Sequence, residues 1–428
     1  MIKKPFFSLG TPKLKYPVIQ SQKKGHEKEI PLPEKATLLL NRPYSEIDEN
    51  ILKKGDTVKT GQRQPLNSGD DEYFISPVTG TISDISEYIG YLGLSYTSIS
   101  IKTGDDEQLD DEFKKISESV SSESAVKFLG SLPGCPDFAS IINPDPPLDT
   151  IVIYGIDNDL LVTTNQLIVK SRAEAIKEGL TFLKKTTGVN QIILVVSSAL
   201  AGDAANSGAE IRIIDPVYPE ALPEMIIKKV LGRVVPAGKD CKDMGVAFIN
   251  AEAVAALADA FGSGEMPVNK VLTLINKDGS SLNVTARIGT PVKEVLKSFN
   301  IEVGHGDRLT LGGPMRGISI YSEDTPVMYD TDAIMVQDRE QVIASSDIPC
   351  LNCGECVRVC PANVPVNMLV RLLENGLYEE AAQEYDLLSC IECGLCAYVC
   401  VARIPVFHFI MLGKYEFGRL NSMEESNA

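Results

Sequence analysis

The sequence predicts a multidomain α+β protein. Three observations carry this expectation. The chain of 428 residues exceeds what one core organises; short β-type runs give way to alternating strand and helix patterns; and eight of the ten cysteines fall in a helical stretch between Cys350 and Cys400. The order of these patterns predicts a β module over 1–103, an acidic linker over 104–126, an α/β domain over 127–265, a β-grasp domain over 266–335 and a cysteine-rich helical domain over 336–428.

In the first module, Lys54-Gly55-Asp56-Thr57-Val58, Gly61-Gln62 and Ser76-Pro77-Val78-Thr79-Gly80-Thr81-Ile82 read as strand and turn units. The pattern is similar to the barrel-sandwich fold of lipoyl and biotinyl carriers. Those carriers present a modified lysine at a hairpin tip, and the matching turn, Val78-Thr79-Gly80, has none, so the module is expected to be scaffold. From Gly104 to Ser124 the composition shifts to Asp, Glu, Ser and Lys, as in a solvated linker.

Apolar runs over Thr150 to Tyr154 and Gln191 to Val196 predict buried strands, and Ser171 to Lys185, Pro223 to Leu231 and Ala251 to Phe261 predict helices. Strands alternating with helices imply a sheet flanked by helices. Val271 to Asn276 and Ser281 to Ile288 then predict a hairpin around Lys277-Asp278-Gly279. With a helix over Thr290 to Phe299 entered by Pro291, this gives strands gripping one helix.

The formal net charge of −17 argues against nucleic acid as a ligand, because phosphate binding needs Lys and Arg to displace counterions. No run reaches 18 apolar residues, so no membrane-spanning helix is expected. The start, Met-Ile-Lys-Lys-Pro, lacks the apolar region of a secretory leader. Cysteines crowded into one stretch do not describe a disulfide framework, and a reducing cytoplasmic compartment fits.

The strongest signal is Cys350-x2-Cys353-x2-Cys356-x3-Cys360-Pro361, repeated thirty residues on as Cys390-x2-Cys393-x2-Cys396-x3-Cys400. Three thiolates at this spacing grip three corners of one [4Fe–4S] cubane while the fourth reaches the other cluster. The first cluster is therefore assigned to Cys350, Cys353, Cys356 and Cys400, and the second to Cys360, Cys390, Cys393 and Cys396. Each motif contributes to both, so the clusters lie close together and neither forms without both motifs. A zinc site would use four ligands and leave half of these cysteines unexplained. Gly354 and Gly394 let bare backbone approach the clusters. Pro365 to Glu374 and Leu377 to Leu388 have helical periodicity around Gly376, so residues 336–428 read as a helical di-cluster ferredoxin domain.

Here the chain resembles the RnfC family, a component of the Rnf complex, the ion-translocating, ferredoxin-linked electron transport complex. The likeness runs over nearly the whole sequence and is most specific in Arg287-Ile288-Gly289-Thr290-Pro291, Leu311-Gly312-Gly313-Pro314-Met315-Arg316-Gly317, Pro349-Cys350-Leu351-Asn352-Cys353-Gly354-Glu355-Cys356 and Cys390-Ile391-Glu392-Cys393-Gly394-Leu395-Cys396. The resemblance implies a peripheral subunit on the cytoplasmic face, docked to membrane and flavin-bearing subunits that translocate Na⁺ or H⁺. It also implies an α/β domain resembling the complex I flavin and NADH module, and an SLBB-like β-grasp domain.

Three departures bear on FMN and NADH. The family's Gly-Gly-Ala-Gly-Phe-Pro-Thr loop, which cradles the flavin phosphate, is matched by Phe128 to Phe138, where Pro133 and Pro136 remove donors and Asp137 repels phosphate. The Asn-Gly-Ala-Glu-Cys-Glu-Pro segment reads Tyr154-Gly155-Ile156-Asp157-Asn158-Asp159-Leu160, and Gln-Gly-Gly-Glu reads Glu220-Ala221-Leu222-Pro223. The expectation is an electron carrier that takes electrons from reduced ferredoxin and bypasses NAD. An FMN and NADH-binding subunit and a non-pumping, quinone-linked adaptor are the alternatives. Cys135, Cys241, His26, His305 and His408 are assigned no chemistry. Gly312-Gly313-Pro314 lacks the Lys of a P-loop and is read as closing the β-grasp domain. The apolar run Ile404 to Leu412 is read as core packing or a seat for membrane partners.

Overall fold

A computed structural model describes residues 12–19, 28–48, 50–68, 72–117, 128–134, 138–142 and 144–427. Among the described residues, three sheets of four or more strands, a two-stranded ribbon of Arg63–Pro65 and Tyr73–Ile75, and a helical unit make up the fold, but the chain does not divide where the sequence suggests.

The antiparallel sheet has the order Lys35–Leu40, Ser95–Thr103, Gly80–Ile89, Thr57–Val58. Its core holds Leu38, Leu52, Phe74, Ile82, Ile99 and Ile101, and Ile288 from the following sheet completes it. Val78, at the turn where a carrier would present its lysine, is fully buried, and Thr79 Oγ1 donates to Gln108 O at 2.8 Å. The turn is packed rather than displayed.

The segment expected as a solvated linker is anchored over its described part. Thr60 N donates to Gln108 O, Asp110 N donates back to Thr60 O, and the helix Glu112–Ser117 buries Phe113 against Phe128 and Phe261. Phe113, with Ile116 partly buried beside it, holds this otherwise acidic strip to the core. Residues 118–127 lie outside the described residues.

The α/β unit contains a four-stranded, wholly parallel sheet ordered Glu210–Ile214, Gln191–Ser197, Thr150–Tyr154, Val246–Asn250. Its central strands are apolar on both faces because both are covered. Ile151 and Ile153 pack toward the helices Ala173–Thr187 and Ala251–Ser263, whereas Val152 and Tyr154 pack toward Pro223–Val230.

The six-stranded mixed sheet has the order Lys28–Glu29, Ser281–Arg287, Asn269–Ile275, Ala333–Gln337, Arg308–Leu311, Ile318–Ile320. The helix Val292–Lys297 lays Val292, Val295 and Leu296 on one face, and Pro291 stands just before it in extended conformation rather than inside it. The boundary expected at residue 335 falls within the parallel strand Ala333–Gln337, so the sheet continues past it. The first module also needs correction. Residues 12–19 pack on the α/β unit and Lys28–Glu29 joins the mixed sheet, because each strip has apolar or main-chain partners there. The antiparallel sheet begins only at Lys35.

A buried Lys270–Glu252 pair, joined by the partly exposed Asp332, ties the α/β unit to the mixed sheet. Lys270 is fully buried, with Nζ near Glu252 and donating to Val271 O at 2.7 Å and Asp332 Oδ1 at 3.1 Å; Glu252 also accepts from Val271 N at 2.7 Å. Burial alone would discharge the lysine, but the two carboxylates hold its pKa above the ordinary value.

The cysteine-rich unit is helical: Glu355–Val359, Val366–Leu373, Tyr378–Glu384, Leu395–Val399 and the long Val406–Asn427. The apolar run at 404–412 forms the first turns of that last helix, and Ile404, Val406 and Ile410 are buried in the unit's own core. Core packing is its main use. No helix of the described residues is long and apolar enough to cross a membrane.

Candidate functional site

The two cysteine motifs fold alike. In each, a glycine with positive φ, Gly354 or Gly394, opens a five-residue helix that carries the third cysteine, and the fourth follows in extended conformation just past the helix end. The two short helices pack together. This back-to-back arrangement carries the fourth cysteine of each motif toward the other motif.

Cys350, Cys353, Cys356 and Cys400 line one small recess, walled by Leu351, Val370, Ala402 and Ile404. Cys360, Cys390, Cys393 and Cys396 form the other neighbourhood: Cys360 and Cys390 act electrostatically on Cys393, and Cys390 and Cys393 act on Cys396. The sets adjoin, since Cys356 also reaches Cys396. Among the described residues no three His, Cys, Asp or Glu side chains converge as ligands of a single ion do; the first four thiols ring a space instead.

Burial pushes the Cys356 thiol up to about 11 and Cys393 up to about 12, with the neighbouring sulfurs adding to both, and it raises Cys390 and Cys396 as well. As free thiols they resist ionisation. Bound iron reverses that by displacing the protons, so the donor chemistry fits a thiolate-held cluster. Val364 N and Glu392 N point at the sulfurs of Cys360 and Cys390, each at 3.4 Å, as donors that stabilise sulfur charge.

The two sets differ in exposure. Cys353 is exposed, and Leu351 and Val401 beside it are about half exposed. Cys393 and Leu395 are buried within the core under the parallel sheet, and Tyr218 OH donates to Cys393 O at 2.7 Å. A Cβ added to Gly394 would lie 2.6 Å from Met315 O, so the Gly313–Gly317 turn rests on the second motif. Lys414, on the long last helix, donates to Cys390 O at 2.6 Å and Glu392 Oε1 at 2.7 Å. Neither Tyr218 nor Lys414 carries a sequence signal, because both act on backbone carbonyls far away in the chain.

The contact at Gly394 makes a differential prediction. Gly394→Ala and Gly354→Ala both place a side chain at φ near +70°, but only the first meets Met315. Gly394→Ala is expected to cost more than about 1 kcal/mol and to speed iron loss to a chelator, with Gly354→Ala the milder of the two. Equal rates would show that the Met315 contact is slack.

The three divergent elements are absorbed into the fold. Phe128, Leu129, Leu132 and Phe138 belong to the main core, and Gly134 O accepts from Asn250 Nδ2 at 3.0 Å; Cys135, Pro136 and Asp137 lie outside the described residues. Asp157, pushed up to about 6 by burial, accepts from Asn165 N at 2.7 Å at the start of the helix Thr164–Ser171. Asp159 accepts from the backbone N–H groups of Leu160, Met315 and Arg316 at 2.6, 3.1 and 2.8 Å, so it fastens the Gly313–Gly317 turn. Ala221 and Leu222 are fully buried ahead of the helix Pro223–Val230.

Residues 12–19 cross the carboxyl end of the parallel sheet. Tyr16 N donates to Pro216 O, Tyr218 N donates to Leu14 O, and Ile19 N reaches Gln166 Oε1 at 3.4 Å. The strip thus runs from the edge strand to the central one. In open α/β sheets this crevice is where ligands bind.

Of the other residues singled out in the sequence, Cys241 is half-buried with its thiol pushed up to about 12 by burial, which suits a packing role. His305 and His408 are exposed and His26 lies outside the described residues.

A family pattern described as 4Fe-4S dicluster domain matches residues 342–401. The C subunit of the ion-translocating oxidoreductase complex of Rhodobacter capsulatus is 24% identical over 380 residues, covering 83% of this chain and 72% of that protein. The C subunit of the Na(+)-translocating ferredoxin:NAD(+) oxidoreductase complex of Acetobacterium woodii is 27% identical over 347 residues, 74% of this chain and 76% of that one. The chain is similar to these C subunits over most of its length. The proton-translocating counterpart from Clostridium ljungdahlii is 24% identical over 385 residues, 84% and 83% of the two chains. Among solved structures, this chain is similar to a chain of the NAD+-reducing [NiFe]-hydrogenase in the H2-reduced state, with a TM-score of 0.47 and 11% identity over 69% of this chain and 63% of that one.

Proposed function

We propose that this chain is the electron-transfer subunit of an Rnf-type ion-translocating oxidoreductase, with Cys350, Cys353, Cys356 and Cys400 holding one [4Fe–4S] cluster and Cys360, Cys390, Cys393 and Cys396 the other. The observation that carries the reading is the partition of eight thiols into two adjoining sets, each drawn from both motifs. When bound, the cubanes supply one-electron carriage. The chain's own residues set the direction: the first set opens at the surface beside Leu351 and Val401, where a partner can approach, and the second is enclosed.

The electrons come from reduced ferredoxin and pass to membrane partners without NAD. What supports this is the crevice: residues 12–19 lie across it, Asp157 accepts from Asn165 N and the Gln166 side-chain amide, and Asp159 accepts from backbone N–H groups. Two homologues are named as parts of ferredoxin:NAD(+) oxidoreductases, which favours an NAD-linked alternative. Peripheral attachment at the cytoplasmic face completes the reading.

The test is anaerobic absorbance of the reconstituted chain with iron and flavin assays, before and after NADH or reduced ferredoxin. About eight iron atoms without flavin, bleached only by ferredoxin, is the expected result. Bound FMN with bleaching by NADH would establish the NAD-linked alternative.

A further inference from the structure

The enclosed cysteine set meets the α/β unit through a buried phenol. Tyr218 follows the edge strand Glu210–Ile214, is 2% exposed, and sends its hydroxyl to the Cys393 carbonyl at 2.7 Å. Its ring lies 5.7 Å from that of Tyr16, inclined at 57°, and the backbone bonds Tyr16 N to Pro216 O and Tyr218 N to Leu14 O clamp the pair from both sides. With ring and backbone both fixed, the hydroxyl has little freedom to leave the carbonyl. A phenol is protonated at neutral pH, so it is a standing donor whose positive end faces the loop carrying Cys393.

We propose that Tyr218, braced by Tyr16, is a positioning residue that fixes the Cys393 loop and raises the reduction potential of the cluster held by Cys360, Cys390, Cys393 and Cys396. The inference rests on the two-cluster reading above. A donor aimed at a ligand's peptide carbonyl draws electron density from the loop and favours the added electron. Lys414, on the long last helix, acts on the same loop through the Cys390 carbonyl. The first set faces the surface recess, away from this contact.

The experiment is a redox titration, followed by electron paramagnetic resonance, of the reconstituted full chain as wild type, as Tyr218→Phe and with 3-fluorotyrosine at position 218. Tyr218→Phe is expected to move one of the two potentials to more negative values and leave the other in place. The fluorinated ring, a stronger donor of nearly the same shape, moves the same potential the opposite way, and it carries the test alone if Tyr218→Phe fails to fold. Unmoved potentials at full iron content overturn the inference alone, as does an equal shift of both clusters. A wild-type chain holding only about four iron atoms overturns the two-cluster reading and this inference with it.

Discussion

Cys360→Ser is expected to cost the second cluster, not the first, although Cys360 stands in the first motif. Iron should fall from about eight atoms per chain to about four, and the surviving spectrum should match that of Cys393→Ser. Cys400→Ser should instead match Cys350→Ser. The reason is geometric: the short helices Glu355–Val359 and Leu395–Val399 lie together, and the extended residue after each carries its thiol to the opposite set. Cys400 lines the recess with Cys350, Cys353 and Cys356, and Cys360 acts on Cys390 and Cys393. If Cys360→Ser reproduced the spectrum of Cys356→Ser, the crossed assignment would fail and each motif would hold its own cluster.

The second large effect concerns stability. Lys270→Ala is expected to lower the stability of the unit it ties together by about 3–5 kcal/mol, because it strands the Glu252 carboxylate without its partner inside the core. Glu252→Gln added to Lys270→Met should recover much of the loss, since the amide oxygen still accepts from Val271 N while no charge remains buried. With no tryptophan in the chain, the urea transition is best followed by far-UV circular dichroism. A single-mutant loss below about 1 kcal/mol would mean that water reaches the Lys270–Glu252 pair.

The parts legible in the sequence are those whose chemistry is local. Cysteine spacing is read directly, and the strand Thr150–Tyr154 and the helix beginning at Ala251 announce themselves by apolar runs that owe little to distant partners. Residues 12–19 carry no such signal. Lys13, Lys15 and two prolines hide an apolar strip whose partners, Pro216 to Tyr218 and Gln166, lie far along the chain. The edge strand Lys28–Glu29 is two residues long and pairs with Val284 and Thr285, so no periodicity could reveal it. In the sequence, Asp157 and Asp159 look like weakened remnants of a nucleotide segment. The structure employs them as backbone acceptors, a role visible only once Asn165 and Met315 are brought near.

The strip at residues 12–19 also has a kinetic meaning. Tyr16 settles into a buried cluster that contains Cys393 and Leu395, so although its backbone partners Pro216 and Tyr218 emerge sooner, the cluster is complete only once the second cysteine motif has left the ribosome. At 5–20 residues per second that delay is roughly 20 to 75 s. During it the Tyr16 cluster lacks the Cys393 and Leu395 side chains that complete it. Completion of that cluster is therefore a late event in biogenesis that depends on the arrival of the second cysteine motif.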